Sequence, residues 1–113
     1  MKNTDGLYVD DIIESIEIII YYLQKYTIDG FLKDRVLIDA IIRRYSVVGE
    51  ADSHVSETTK NLFPKIDWKQ MKGMRNYVIH QYGKIDYNLL FDTAKNILPT
   101  QLQYLKEIDL SKI

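Results

Sequence analysis

The apolar residues near the N-terminus recur at a spacing that only one kind of secondary structure satisfies over such a length. Val9, Ile12, Ile13, Ile16, Ile19, Ile20 and Leu23 follow one another at helical intervals and fall on one face. Isoleucine also suits a strand, but a strand alternates its faces every second residue. Asp10, Glu14 and Glu17 instead line the opposite side of a helix. The spacing predicts a helix from about Leu7 to Lys25, capped by Asn3, Thr4 or Asp5.

The same period runs through the rest of the chain. Asp29–Gly30 reads as a turn. A long helix is expected from about Phe31 to Asn61, with two apolar stripes. Leu37, Ala40, Ile41, Val47, Val48, Ala51 and Val55 form one; Phe31, Ile38, Ile42, Tyr45 and Gly49 form the other. One stripe can face a bundle core. The second needs a cover, either a further helix of the same chain or a partner subunit. Gly49 would let another backbone approach closely.

Leu62–Ile66, with Pro64, is a loop. Asp67 and Gln70 read as a capping box for the next helix, with Ile66 and Met71 as its hydrophobic staple and Gly83 as its stop. Asp86 caps a fourth helix, with Ile85 and Leu90 as a second staple. Pro99 either kinks that helix or opens a short fifth one carrying Leu98, Leu102, Leu105 and Ile108. The expected fold class is all-α: an up-and-down four-helix bundle with a short fifth C-terminal helix, one domain over residues 1–113.

At 113 residues the chain can bury a core without staples. It has no cysteine, which excludes disulfides, thiol catalysis and a cysteine-based zinc site. Acidic residues interrupt the N-terminal segment, so it does not read as a secretory signal, and no apolar run is long enough to span a membrane. The expected location is cytoplasmic. Net charge is −1, yet the charges segregate. Residues 60–84 hold Lys60, Lys65, Lys69, Lys72, Arg75 and Lys84 against Asp67 alone, whereas residues 2–24 hold five acids against Lys2.

The densest chemistry lies in that basic segment, in Met71–Tyr82. Arg75, Asn76, His80 and Tyr82 stand within eight residues of one another. A histidine titrates near neutral pH and can take the proton from a ribose 2′-OH. An arginine can hold the scissile phosphate and neutralise developing charge. Asn76, one turn from His80, can orient it or bond the phosphate. On an ideal helix Arg75 points about 140° from His80, towards apolar positions, and needs an acceptor there. It can snorkel towards His80 or meet a second protomer. On spacing alone, a helix-end histidine bonded to Asn76 and a structurally paired arginine is the commoner arrangement. Tyr82 could stack on a base or fill the core with its hydroxyl at the rim.

Glu50, His54 and Glu57 fall on one face of the expected long helix. One helix offers too few ligands for a metal, so this reads as a solvated polar face, and no metal is expected. Glu50 is also a candidate partner for Arg75, Arg43 or Arg44, and the sequence does not choose among them.

Arg75, four residues, His80, one residue and Tyr82 give R-x4-H-x-Y. This resembles the signature of the HepT-like branch of the HEPN family. Gly49–Ala51, Trp68, Asp86 and Leu98–Pro99 are similar in type and order, so the resemblance covers nearly the whole chain. It implies a metal-independent endoribonuclease without a cofactor, with His80 as base, Arg75 as phosphate clamp and Asn76 beside them. It implies an RNA substrate and a role as the toxin of a toxin–antitoxin pair. The cognate partner would be a minimal nucleotidyltransferase antitoxin that attaches AMP to Tyr82. A homodimer would bring Arg75 and His80 of two chains into one cleft. The alternative is a non-catalytic HEPN partner of a nucleotidyltransferase, with the acidic first helix as the docking face.

Overall fold

The computed structural model describes residues 4–78, 84–109 and 111, and every regular element among them is helical. In chain order these are α1 (Asp5–Leu23), α2 (Ile28–Lys33), α3 (Arg35–His54), α4 (Glu57–Leu62), α5 (Trp68–Val78), α6 (Tyr87–Asn96) and α7 (Leu98–Lys106). The all-α class is as expected, with α1, α3, α5, α6 and α7 in the places of the five expected helices. His80, Tyr82 and Gly83 lie outside the described residues, so neither the position of the expected base and modification site nor the expected stop is described.

α3 is the central element, packed against α1 on one side and α5 on the other. It runs antiparallel to both. Tyr8 of α1 meets His54 at the end of α3, while Ile18 and Tyr22 lie beside Val36 and Ala40 at its start. On the other side Arg75 sits against Gly49, and Tyr77 sits near Tyr45. α6 and α7 close the bundle over α1, and α2 joins α3 to α6.

The face read from α1 is the core face: Val9, Ile12, Ile16, Ile19 and Leu23 are buried, with Ile13 and Ile20 at its margin. Both stripes of the expected long helix also find cover within the chain. Leu37, Ile41, Val48, Ala51 and Val55 are buried on one side, and Phe31, Ile38 and Tyr45 on the other. Ala40 alone of the first stripe is exposed. The Tyr45 hydroxyl donates to the carbonyl of Leu90, and the Phe31 ring leans on Phe91, so α6 caps the second stripe. Because that stripe is covered internally, it gives no reason for a partner subunit.

The single helix expected over residues 31–61 is three helices. The first break is at Asp34, whose extended backbone lets its carboxylate accept from Leu37 N at 3.0 Å and from the Tyr26 hydroxyl at 2.8 Å. The second is at Val55–Ser56, where Ser56 accepts from Thr59 N at 3.2 Å. Both are N-caps: a side-chain oxygen satisfies an N–H that a new helix leaves without a partner. Asp29 and Gly30 accordingly lie inside α2, whose cap is Thr27.

The second break is fixed by Asp5. Its buried carboxylate receives the Ser56 hydroxyl at 2.6 Å together with the Thr59 hydroxyl, tying the start of α1 to the start of α4. Burial works to raise the Asp5 carboxyl, but the bonds from Ser56 and Thr59 outweigh it and hold the group below its ordinary value.

Asp67 caps α5 as expected, accepting from Gln70 N at 2.9 Å. The reciprocal half of the capping box is not made. Gln70 instead donates to the Tyr77 hydroxyl, and Gln101 of α7 takes the Asp67 N–H at 2.8 Å. Met71, Met74 and Val78 are buried, and Ile66 is buried with its staple partner Met71. Asp86 caps α6 through Leu89 N. Pro99 stands in the first turn of α7, so it opens the short C-terminal helix rather than kinking α6.

Candidate functional site

The site is built where α5 crosses α3. Gly49 is buried, and a methyl group there would lie 2.7 Å from Arg75 N and 2.9 Å from its Cα. Only a residue without Cβ lets the two backbones pass this closely, as the sequence suggested. The contact fixes the root of the Arg75 side chain against α3 and lets its stem run outward. The guanidinium is about half exposed and meets no acceptor among the described residues of its own helix.

Its acceptor is Glu50. Arg75 Nη1 lies 3.4 Å from Glu50 Oε2, and His54 Nε2 lies 3.4 Å from Glu50 Oε1. One carboxylate therefore stands between a fixed cation and an imidazole. The His54 ring stacks on Tyr8 at 4.8 Å between centroids and 19° between planes. With Asp11 and Arg43 these residues surround an open pocket of about 450 Å³. Of the three arginines that might have paired with Glu50, the fold selects Arg75. Arg44 donates to Ser15 Oγ at 3.3 Å, and Arg43 faces the pocket.

Asn76 follows Arg75 on α5 and is exposed. Glu57, expected on one face with Glu50 and His54, belongs to the separate helix α4, because α3 ends at His54. Among the described residues no group of three or more His, Cys, Asp or Glu is placed to share a metal ion. Tyr8, Asp11 and Arg43 were not legible as neighbours of Arg75, since they lie on other helices far away in sequence. The one pointer was the Gly49–Glu50 pair, a glycine marking a close approach beside a charged residue.

A helical bundle with an arginine held at the mouth of an open pocket, and R-x4-H-x-Y running from that arginine in the sequence, is the pattern expected of a HEPN-type domain. Residues 12–108 match the family described as Ribonuclease HepT-like, and the chain belongs to that family. It is similar to a candidate RNase of Methanocaldococcus jannaschii, 35% identical over 101 residues, covering 89% of this chain and 84% of the relative. It is similar as well to a probable ribonuclease HepT of Thermococcus cleftensis, 34% identical over 100 residues, covering 88% and 91%. No solved structure matches the chain. Among the described residues no helix is long and apolar enough to cross a membrane.

Proposed function

We propose that this protein is a metal-independent endoribonuclease and the toxin of a toxin–antitoxin pair. The observation that carries the reading is Arg75, the first residue of R-x4-H-x-Y in a HepT-like chain, with its guanidinium held half exposed at an open pocket. His80 takes the proton from a ribose 2′-OH. The freed oxygen attacks the adjacent phosphorus, the bond from phosphorus to the 5′ oxygen breaks, and that oxygen leaves with a proton taken from water, while His80 gives its own proton back to water. The products are a 2′,3′-cyclic phosphate and a 5′-hydroxyl end. Arg75 holds the phosphate and stabilises the charge that builds on it, and Asn76 orients His80.

A cognate minimal nucleotidyltransferase is the antitoxin, adding AMP to Tyr82. A homodimer belongs to the same reading, since it sets Arg75 and His80 of two chains in one cleft. The exposed Tyr22 and Val36, adjoining on α1 and α3, are apolar surface that a second copy can cover.

The test is RNA cleavage by the purified wild type beside His80→Ala and Arg75→Ala. Each substitution is expected to lower cleavage at least about 10²-fold, EDTA is expected to leave it unchanged, and new ends should carry cyclic phosphate. Cleavage that persists in His80→Ala, or that EDTA abolishes, overturns the assignment.

A further inference from the structure

Beyond the Arg75 pocket, a second pocket of about 430 Å³ lies between α4 and α5. Its charged lining is Lys60, Lys69 and Lys72 against Glu57, around one side of Trp68. Its walls are held in place. The indole N–H of Trp68 is shared between the carbonyls of Lys60 at 3.2 Å and Phe63 at 3.1 Å, which pins the ring to the end of α4. Lys60 extends over that ring, its Nζ 5.9 Å from the centroid, and pairs with the buried Asp52 at 3.1 Å. Lys60 is thus committed to the fold.

Lys69 and Lys72 are freer, although the charge of Lys72 also acts on the buried Asp52 carboxyl and favours its ionised form. Both are exposed, and neither makes an ion pair among the described residues. They stand at three-residue spacing with Arg75 on α5, and such a row forms a ridge inclined about 45° to the helix axis. Each step advances about 4.5 Å along that axis. Each step also turns about 60° around the axis, so a strand passing from Arg75 by Lys72 to Lys69 and the Trp68 pocket follows the ridge about a third of the way round α5.

We infer that the α4–α5 lysine pocket around Trp68 binds the phosphate backbone of single-stranded RNA flanking the phosphate held at Arg75. This rests on the ribonuclease reading for what happens at Arg75, but the binding itself does not need cleavage. A polyanion is the occupant that the charge fits, and continuity with Arg75 makes it the same strand. An extended strand is favoured because the three cations follow one helix ridge.

Trp68 is the only tryptophan in the chain, so its fluorescence reports on this pocket directly. Oligouridylate is titrated into full-length His80→Ala, which keeps the strand intact, and into the same chain carrying Lys69→Gln and Lys72→Gln. A second chain carrying Lys25→Gln and Lys33→Gln removes equal charge from a remote surface. The expected result is a saturable change in Trp68 emission and at least tenfold weaker binding for the Lys69/Lys72 variant. The remote variant should bind nearly as the parent does. The slope of log affinity against log salt should become shallower by about 1.4, at roughly 0.7 per lost phosphate contact. Equal binding by the two lysine variants overturns the site. So does unchanged RNA affinity in the Lys69/Lys72 variant with loss of binding to the cognate transferase, which would make this a protein-docking face. Tight oligouridylate binding that the Lys69/Lys72 pair controls supports the site even where wild type leaves RNA uncut. That combination retires the ribonuclease reading alone.

Discussion

Gly49 and Arg75 bring α3 and α5 into backbone contact, and the contact leaves no room for a side chain on Gly49. The Arg75 guanidinium inherits its position from that crossing, with Glu50 waiting one residue further along α3 at 3.4 Å. The packing of two helices and the placing of the Arg75 cation are here one event.

Gly49→Ala should therefore do more than a surface glycine substitution. The added methyl meets Arg75 backbone, which cannot swing aside as a side-chain tip would, so α5 must move away from α3. Overpacking of this kind costs about 1–3 kcal/mol, to be read as a lower urea midpoint. RNA cleavage should fall further than the unfolded fraction explains, because Arg75 moves with α5. A variant of unchanged stability and full activity would show that the crossing has slack.

Glu50→Gln tests the electrostatics of the same place. The pair is half exposed on both sides, so its loss should change stability by under about 1 kcal/mol. Cleavage should respond in two opposite ways. KM should fall, since a negative charge has left the proposed phosphate site, and kcat should fall too, since Arg75 and His54 lose their shared anchor. A rise in KM would show that Glu50 contacts substrate rather than holding Arg75.

The Asp5 cluster gives a pH dependence of known sign. Its carboxyl is held below the ordinary value in the folded chain by Ser56 and Thr59. The stability it contributes is present in full above the unfolded value, about 3.9, and is lost as pH falls through the folded one. Asp5→Asn should cost about 1.5–3 kcal/mol at neutral pH, the range for bonds to a charged group. The gap from wild type should hold steady above about pH 5 and narrow below about pH 4. Denaturant titrations across that range check it, and a gap that widens in acid would reverse the sign of the linkage.

Tyr82 is where regulation is expected. A cognate nucleotidyltransferase with ATP should raise the mass of the chain by whole AMP units, located on Tyr82 by peptide mass spectrometry. The added phosphate would bring negative charge near Arg75 and oppose binding of RNA phosphate there. Tyr82→Phe should fold, refuse the label and escape neutralisation. Label on Tyr77 or Tyr87 instead would remove this switch; the Tyr77 hydroxyl already accepts from Gln70.

What the sequence determined by itself was everything set within a turn or two of the chain. The α1 core face, the Asp67 and Asp86 caps, Pro99 at the head of α7 and a glycine kept for close approach were all legible, because helix period and capping depend on neighbours three and four residues away. R-x4-H-x-Y was legible as a family resemblance, carried by residue types at fixed spacing rather than by helix period. The caps at Asp34 and Ser56 were the local exception. Continuous apolar spacing ran through both, and the second is secured by Asp5, 51 residues earlier. Only the tertiary structure decided which helix covers the second stripe of the expected long helix, and that Glu50 takes Arg75 while Arg44 goes to Ser15. Those outcomes depend on the relative register of packed helices. A sequence period gives the face a residue occupies, but it carries no information about which residue of another helix arrives opposite it.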